Sequence, residues 1–257
     1  MARFRLDLCY DGTDFCGWSV QPGQRSVQGV LDEAREKGFG PQPDAFECTA
    51  AGRTDAGVHA QGQTVHLDVT GDVPPMELQK RLNALLPEDV KITGCRVAPD
   101  DFHARFQCLA KEYVYRVANT PVAPVLERRF VHFERRRVEL APLREAAAHL
   151  EGEHDFRGFT NSGRDTEGSV RLIHRVRVRR REGELEFMFL GKGFLYNQVR
   201  VMVGTLLDIG LGKKPPTLIN EILRSGDRTM AGDTVPAKGL MLTRTIYAGD
   251  KQEVRIT

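Results

Sequence analysis

Ala51-Gly52-Arg53-Thr54-Asp55-Ala56-Gly57-Val58-His59-Ala60-Gln61-Gly62-Gln63 sets one carboxylate, Asp55, between glycines and directly ahead of a run, Gln63 to Val69, that reads as a strand. Gly52, Gly57 and Gly62 permit backbone conformations and close approaches that a Cβ forbids, so the stretch is a shaped loop presenting side chains, not a helix. Arg53 and Asp55, two apart, can point the same way. Taken alone, the pattern also fits an aspartate held in a structural turn by its own backbone hydrogen bonds.

Outward from this loop, strand and helix signals follow on both sides. Phe4, Leu6 and Leu8 alternate with Arg3, Arg5 and Asp7 as a half-buried strand that ends at Asp11-Gly12. Ser26 caps an expected helix with Val27, Val30, Leu31 and Ala34 on one face, stopping near Gly38. Pro74 and Pro75 open a second helix carrying Leu78, Leu82 and Leu85, stopped by Pro87, and Val90 to Val97 reads as a strand.

Asp100-Asp101 begins a second half of like order. Strands are expected at Ala110 to Val117 and Arg129 to Phe133, and an Ala-rich helix at Leu140 to Leu150. Arg171 to Arg181 and Glu184 to Leu190 read as a hairpin across Glu182-Gly183. A helix follows from about Tyr196 to Leu211 with Val199, Met202, Val203, Leu206 and Leu207 inward, then a helix Thr217 to Arg224 and a strand Leu240 to Tyr247. Asn161 to Ser169 reads as a loop. Strands outnumber helices and do not alternate with them singly, so the expected class is α+β with a mainly antiparallel sheet, divided as residues 1–104 and 105–257.

Composition narrows the function classes. The 257 residues include 37 Lys and Arg against 35 Asp and Glu, so net charge does not announce nucleic acid and only its distribution can. Arg171, Arg175, Arg177, Arg179 and Arg181 share one parity while Leu172, Val176 and Val178 take the other, which predicts a cationic stripe over an apolar face. A solvated sheet face and a phosphate-contacting one read alike here. The five cysteines form no CxxC pair and fit reduced thiols, so neither disulfide nor metal is expected. HLEGEH (His149 to His154) matches neither HExxH nor HxxEH and reads as a helix end. Gly204 to Lys214 lacks phosphate-loop spacing and Gly191 to Tyr196 lacks a third glycine, so no nucleotide cofactor is expected. No apolar run reaches membrane-spanning length and the N-terminal residues lack a signal peptide's apolar block, so the expected location is cytoplasmic.

AGRTDAGVHAxGQ resembles the signature of the tRNA pseudouridine synthase A family. YDGTDFCGW (Tyr10 to Trp18), SVQGVLDEA (Ser26 to Ala34), DDFHARF (Asp100 to Phe106), KEYVYRV (Lys111 to Val117), FLYNQVRVMVGTLLDIG (Phe194 to Gly210) and PAKGLML (Pro236 to Leu242) extend the resemblance in family order. Ser19, Gln198, Lys238 and Met241 depart from it, standing where glutamine, methionine, glutamate and tyrosine are usual.

The resemblance implies the pseudouridine synthase fold, two similar halves with a cleft between them, and isomerisation of uridine to pseudouridine at tRNA positions 38 to 40 without a cofactor. It further implies Asp55 as catalytic carboxylate, Tyr113 stacked on the flipped base, Arg200 paired with the carboxylate, Arg53 on the RNA and Leu240 as the apolar wall of the base pocket, with His59 as a brace for the loop. A homodimer sharing one tRNA is implied as well. The competing reading is a non-catalytic tRNA-binding chaperone on the same scaffold, against which the joint presence of Asp55, Tyr113 and Arg200 argues.

Overall fold

Nine residues of alternating burial, Ala2–Tyr10, form β1, whose Phe4, Leu6 and Leu8 are wholly buried. The computed structural model describes residues 2–41, 48–161 and 168–250, so residues 162–167 of the loop expected at Asn161 to Ser169 lie outside the described residues. After β1 come α1 (Val27–Phe39), β2 (Thr49–Ala50), β3 (His59–Val69), α2 (Pro75–Leu85) and β4 (Val90–Val97). Ser26 caps α1 by accepting the Gly29 N–H at 3.1 Å, and Pro75 stands in the first turn of α2, where its missing N–H costs nothing. Leu85, expected inward, is 42% exposed because it falls in the last turn of α2, past the buried Leu78 and Leu82.

The chain continues with β5 (Ala110–Ala118), β6 (His132–Phe133), α3 (Leu140–Ala148), β7 (Gly152–Asp155), β8 (Val170–Arg181), β9 (Glu184–Gly191), α4 (Gln198–Gly210), α5 (Leu218–Ser225) and β10 (Leu240–Ile246). Contacts divide the described residues into two units, one running to Leu109 and resuming at Leu242, the other from Ala110 to Met241. Relative to a division after residue 104, the first unit keeps five more residues and takes back the end of β10, because Leu109 N–H bonds the Ile246 carbonyl at 2.8 Å.

In the first unit the strand order is β4-β1-β3-β10, with the short β2 on β3. In the second it is β5-β9-β8-β7, with β6 beside β5 as the one parallel pair among the strand pairings described. The protein is thus α+β with a mainly antiparallel sheet. Among the described residues no helix is long and apolar enough to cross a membrane.

The sequence reading held no strand at β2 or β7, started β3 four residues late at Gln63, and took His149 to His154 as a helix end where α3 stops at Ala148 and β7 begins at Gly152. Three further differences have physical causes. The strand expected over Arg129 to Phe133 is only two residues long, since Phe130 N–H closes a turn on the Glu127 carbonyl at 2.8 Å. α4 begins two residues later than Tyr196, because Asn197 holds a left-handed φ of 57° that no α-helix contains. The arginine stripe is broken by a β-bulge: Ile173 pairs with Gly191 but Arg175 with Leu190, so His174 is extra and the alternation inverts across it. Arg175, Arg177, Arg179 and Arg181 share a face, while Arg171 joins the face of Ile173, Val176 and Val178 and Leu172 leaves it. Arg179 is paired with Glu186, and Arg116 forks onto Glu184 at 2.8 Å, so part of that face is neutralised within the sheet.

Glu182 (φ 50°) and Gly183 (φ 85°) are both left-handed, the two-residue turn that matches strand twist and closes the expected β8–β9 hairpin. α4 is apolar almost all round, and Arg200 and Asp208 are its only residues not buried.

Candidate active site

Three backbone hydrogen bonds hold the Asp55 loop in the first unit. Trp18 N–H donates to the Thr54 carbonyl at 3.0 Å, Gly57 N–H to the Phe15 carbonyl at 3.3 Å, and Val58 N–H to the Asp55 carbonyl at 3.1 Å. The segment after β1 is thereby laced to the loop, with Gly17 bridged to Asp55. A Cβ on Gly12 would stand 2.0 Å from the Val58 carbonyl oxygen, and one on Gly17, at φ 115°, 2.8 Å from that of Thr54. Only glycine permits either approach.

Below the loop lies a buried polar layer. Tyr10 Oη and Thr54 Oγ1 share a hydrogen bond of 2.7 Å, and Gln63 Nε2 donates to the Gly52 carbonyl at 2.7 Å. Burial pushes the Tyr10 phenol up to about 12, so it stays neutral and serves the loop as a hydrogen-bonding prop, not as a charge. His59, buried at the start of β3, accepts the Gly12 N–H on Nδ1 at 3.0 Å. That bond leaves a lone pair, not a proton, on Nδ1, so the 3.1 Å approach of Asp11 Oδ1 to the same nitrogen is a neighbour contact and not an ion pair. Asp11 Oδ1 is served instead by the Thr13 N–H and hydroxyl at 3.0 and 2.6 Å.

Asp55 itself is half-buried and Arg53 exposed, so the loop carries a carboxylate partly withdrawn from water beside a solvated cation. A carboxylate so placed can act as a nucleophile or as a base. A cavity of about 870 Å³ in the same unit is a separate feature: Arg5, Phe102 and Tyr247 line it, and no residue of the Asp55 loop does.

In the second unit, Arg200 on α4 donates from Nε to the Val235 carbonyl and from Nη1 to Asn197 Oδ1, both at 2.7 Å. These bonds fix the plane of the guanidinium. The left-handed Asn197 that ends the preceding loop supplies one of these acceptors. The segment bearing Val235 is pressed onto the helix: a Cβ on Gly204 would stand 1.9 Å from the Asp233 carbonyl oxygen, and Gly232 N–H donates to Thr205 Oγ1 at 2.8 Å. Pro236 accepts from the Tyr115 hydroxyl at 2.8 Å, and Gly239 lies against the Tyr115 ring, where a Cβ would be 2.6 Å away. Leu240, 5% exposed, follows directly, and Tyr113, 7% exposed, meets Phe194 edge to face at 5.3 Å.

The structure therefore groups Arg53 with Asp55 in one unit and Tyr113, Arg200 and Leu240 in the other. Sequence reading missed the Tyr10–Thr54–Gln63 layer and the Val235 carbonyl. Tyr10 lay inside a recognised block and was readable in retrospect, whereas a backbone acceptor has no signature. Gln198, where methionine is usual, is buried and accepts the Leu195 N–H on Oε1 at 2.7 Å, so the departure still serves the start of α4. The His149 to His154 residues act as structure: Glu151 Oε1 accepts the Val176 N–H at 2.8 Å and a His154 ring nitrogen meets the Glu151 carbonyl at 2.8 Å.

A mainly antiparallel α+β scaffold that presents a half-buried carboxylate from a glycine-framed loop has the groups that covalent or acid–base chemistry uses. The family model described as tRNA pseudouridine synthase matches residues 9–107 and 146–248, more than half of the chain, including Asp55, Arg200 and Leu240 but not Tyr113. The chain is 40% identical over 251 residues to tRNA pseudouridine synthase A of Oceanobacillus iheyensis, covering 96% of this chain and 97% of that one. It is 40% identical over 245 residues to the protein of that name in Geobacillus kaustophilus (95% and 94% covered) and 37% identical over 254 residues to that of Ligilactobacillus salivarius (98% and 99%). The chain belongs to the tRNA pseudouridine synthase family and is an isomerase.

Proposed function

We propose that the protein converts uridine to pseudouridine at positions 38 to 40 of the tRNA anticodon stem-loop, with Asp55 as the catalytic carboxylate and no cofactor. The base leaves C1′ by its nitrogen, turns and rejoins through C5, so the target is flipped out of the stem and a carboxylate acts at the sugar. The observation that carries the reading is the Asp55 loop: a half-buried carboxylate fixed by hydrogen bonds to two neighbouring segments, in a family whose reaction is this isomerisation.

The other residues take their roles from the same resemblance. Tyr113 stacks on the flipped base and Leu240 walls the pocket. Arg53 touches the RNA near the flipped nucleotide. Arg200, its guanidinium already oriented by Val235 and Asn197, pairs with Asp55 and keeps the carboxylate ionised at neutral pH. The enzyme works in the cytoplasm as a homodimer that shares one tRNA.

Tritium release from tRNA labelled at uridine C5 is the test. Asp55→Asn and Asp55→Ala should release none while tRNA affinity stays near that of the parent protein. Release surviving in both variants would remove Asp55 from the chemistry, and binding without release by the parent itself would favour the chaperone.

A further inference from the structure

Pro99 to Leu109 forms a loop of the first unit that the Asp55 chemistry leaves unused, and it holds a phenylalanine out in water. Phe106 is 78% exposed, although its neighbours Phe102, Ala104 and Cys108 are buried. Its ring stacks on His103 with centroids 4.2 Å apart and planes 28° from parallel, and the Arg105 guanidinium lies 6.0 Å from the ring centre. An exposed ring at a wobbling loop tip needs no explanation, but this loop is pinned throughout.

His103 Nδ1 accepts the N–H groups of both Arg105 and Phe106 at 3.2 Å, which sets the imidazole plane under the phenyl ring. Gln107 closes the loop from both ends, donating its backbone N–H to the His103 carbonyl at 3.0 Å and its side chain to the Asp101 carbonyl at 3.1 Å. Between them Ala104, fully buried, donates its N–H to His66 Nδ1 at 3.0 Å and accepts the Tyr247 hydroxyl at 2.5 Å. Arg3 holds the Asp100 and Phe102 carbonyls at 2.7 and 3.1 Å. Burial, with Arg3 and Arg105 close by, keeps His103 below the usual histidine range, so at neutral pH the supporting ring is an uncharged π surface.

We infer that the Phe106–His103 stack is a platform on which one unpaired base of the tRNA stacks, away from the base that reacts. A planar ring with one face backed and the other open is the shape that sequence-tolerant base stacking uses. The ring is set among exposed Asp101, Arg105 and Gln107, with only Leu109 of the same loop and Val97 before it as further exposed apolar side chains, which is small and interrupted for a protein partner's core. Arg105 can add cation–π or phosphate contact, while Asp101 on the same loop opposes a phosphate, so stacking and not charge carries the binding.

The reacting base is elsewhere. His66, whose ring is 4.8 Å from that of His103, lies seven residues along β3 from His59, which clamps the Asp55 side of the sheet. At about 3.3 Å per residue that is roughly 23 Å, several nucleotides along an RNA strand. The platform therefore positions the substrate and makes no contact with the chemistry. The inference rests on tRNA being the substrate.

Phe106→Ala and Phe106→Tyr, measured for tRNA affinity and for tritium release, test it. The alanine variant should weaken affinity and raise KM by about 5- to 150-fold, the range for losing one base–aromatic stack, with kcat and melting temperature unchanged. Tyrosine should restore both. The salt dependence of binding should keep its slope in Phe106→Ala, because no phosphate contact is lost. Parent-like affinity and KM in Phe106→Ala would overturn the inference, as would loss of self-association with unaltered tRNA affinity, which would assign the ring to a second copy of the chain. Weaker tRNA binding by Phe106→Ala alongside a parent protein that releases no tritium would leave the platform standing and remove the proposed activity instead.

Discussion

The loop around Asp55 and the segment around Arg200 solve the same problem, holding one charged group in a set direction, by different means. Asp55 is held backbone to backbone: glycines at 12 and 17 let a segment from early in the chain close on the loop, N–H groups of Trp18 and Gly57 bond across the two, and His59 accepts the Gly12 N–H. Arg200 is held by a carbonyl 35 residues away, on a segment pressed against its helix. The first arrangement survives as long as its glycines do. The second depends on how the chain between α5 and β10 lies on α4, and a fault anywhere along it should be felt at the guanidinium.

Replacing one glycine in each place gives the largest effects and sets the two apart. Gly12→Ala puts a methyl group into the Val58 carbonyl, and since both partners are backbone, the loop itself must move. Turnover should vanish while the second unit's structure, read by hydrogen exchange, stays as it was. Gly204→Ala is more diagnostic. In an ordinary helix interior this change gains about 0.5–1 kcal/mol, but here it drives the Asp233 carbonyl away, so the sign should reverse and the melting temperature fall. A stabilised Gly204→Ala would show that the 231–235 segment is free to lift.

Arg200 comes next. Arg200→Ala leaves the Val235 carbonyl and Asn197 without their donor, at about 1–3 kcal/mol, and under the proposed pairing removes the counter-charge of Asp55. Turnover should be nearly lost. Lysine at 200 should restore charge but not the forked geometry, giving partial rescue. Parent-like rates in Arg200→Ala would break the pairing.

The smallest effect concerns a second histidine clamp in the first unit. His66 accepts the Ala104 N–H as His59 accepts that of Gly12, so two histidines seven apart on β3 each tie down a loop. Burial, chiefly, holds His66 down to about 4, below its unfolded value of about 6.5. The native form therefore loses nothing above pH 6.5, and stability falls as pH drops from there toward about 4, where the unfolded chain takes up the proton more readily. Denaturant unfolding at pH 7 and pH 5 should show that loss, and His66→Gln should flatten it. A parent-like pH slope in His66→Gln would assign the acid limb to other groups.

How much of this could be read from the chain follows from how local each feature is. The helix caps at Ser26 and Pro75, the Glu182-Gly183 turn and the Asp55 loop were legible because the residues that make them lie within a few positions of one another. The site residues came as motif positions, and their grouping by unit came only from the structure. The bulge at His174 was invisible, since strand parity is read by counting and a single extra residue leaves composition and hydrophobic content unchanged. That one residue cost the expected stripe Arg171 and turned Leu172 the other way.

By itself the sequence determined most of the strands and helices, though not the short β2 and β7, together with the antiparallel class and the loop that carries the carboxylate, because each rests on local backbone preference and on alternation along a short stretch. The tertiary structure alone decided strand order within each unit, the return of β10 to the first unit, the bulge, and the carbonyl that orients Arg200. Those features are made by backbone groups far apart in the chain, and every residue carries the same N–H and C=O, so no side-chain pattern announces which of them will meet.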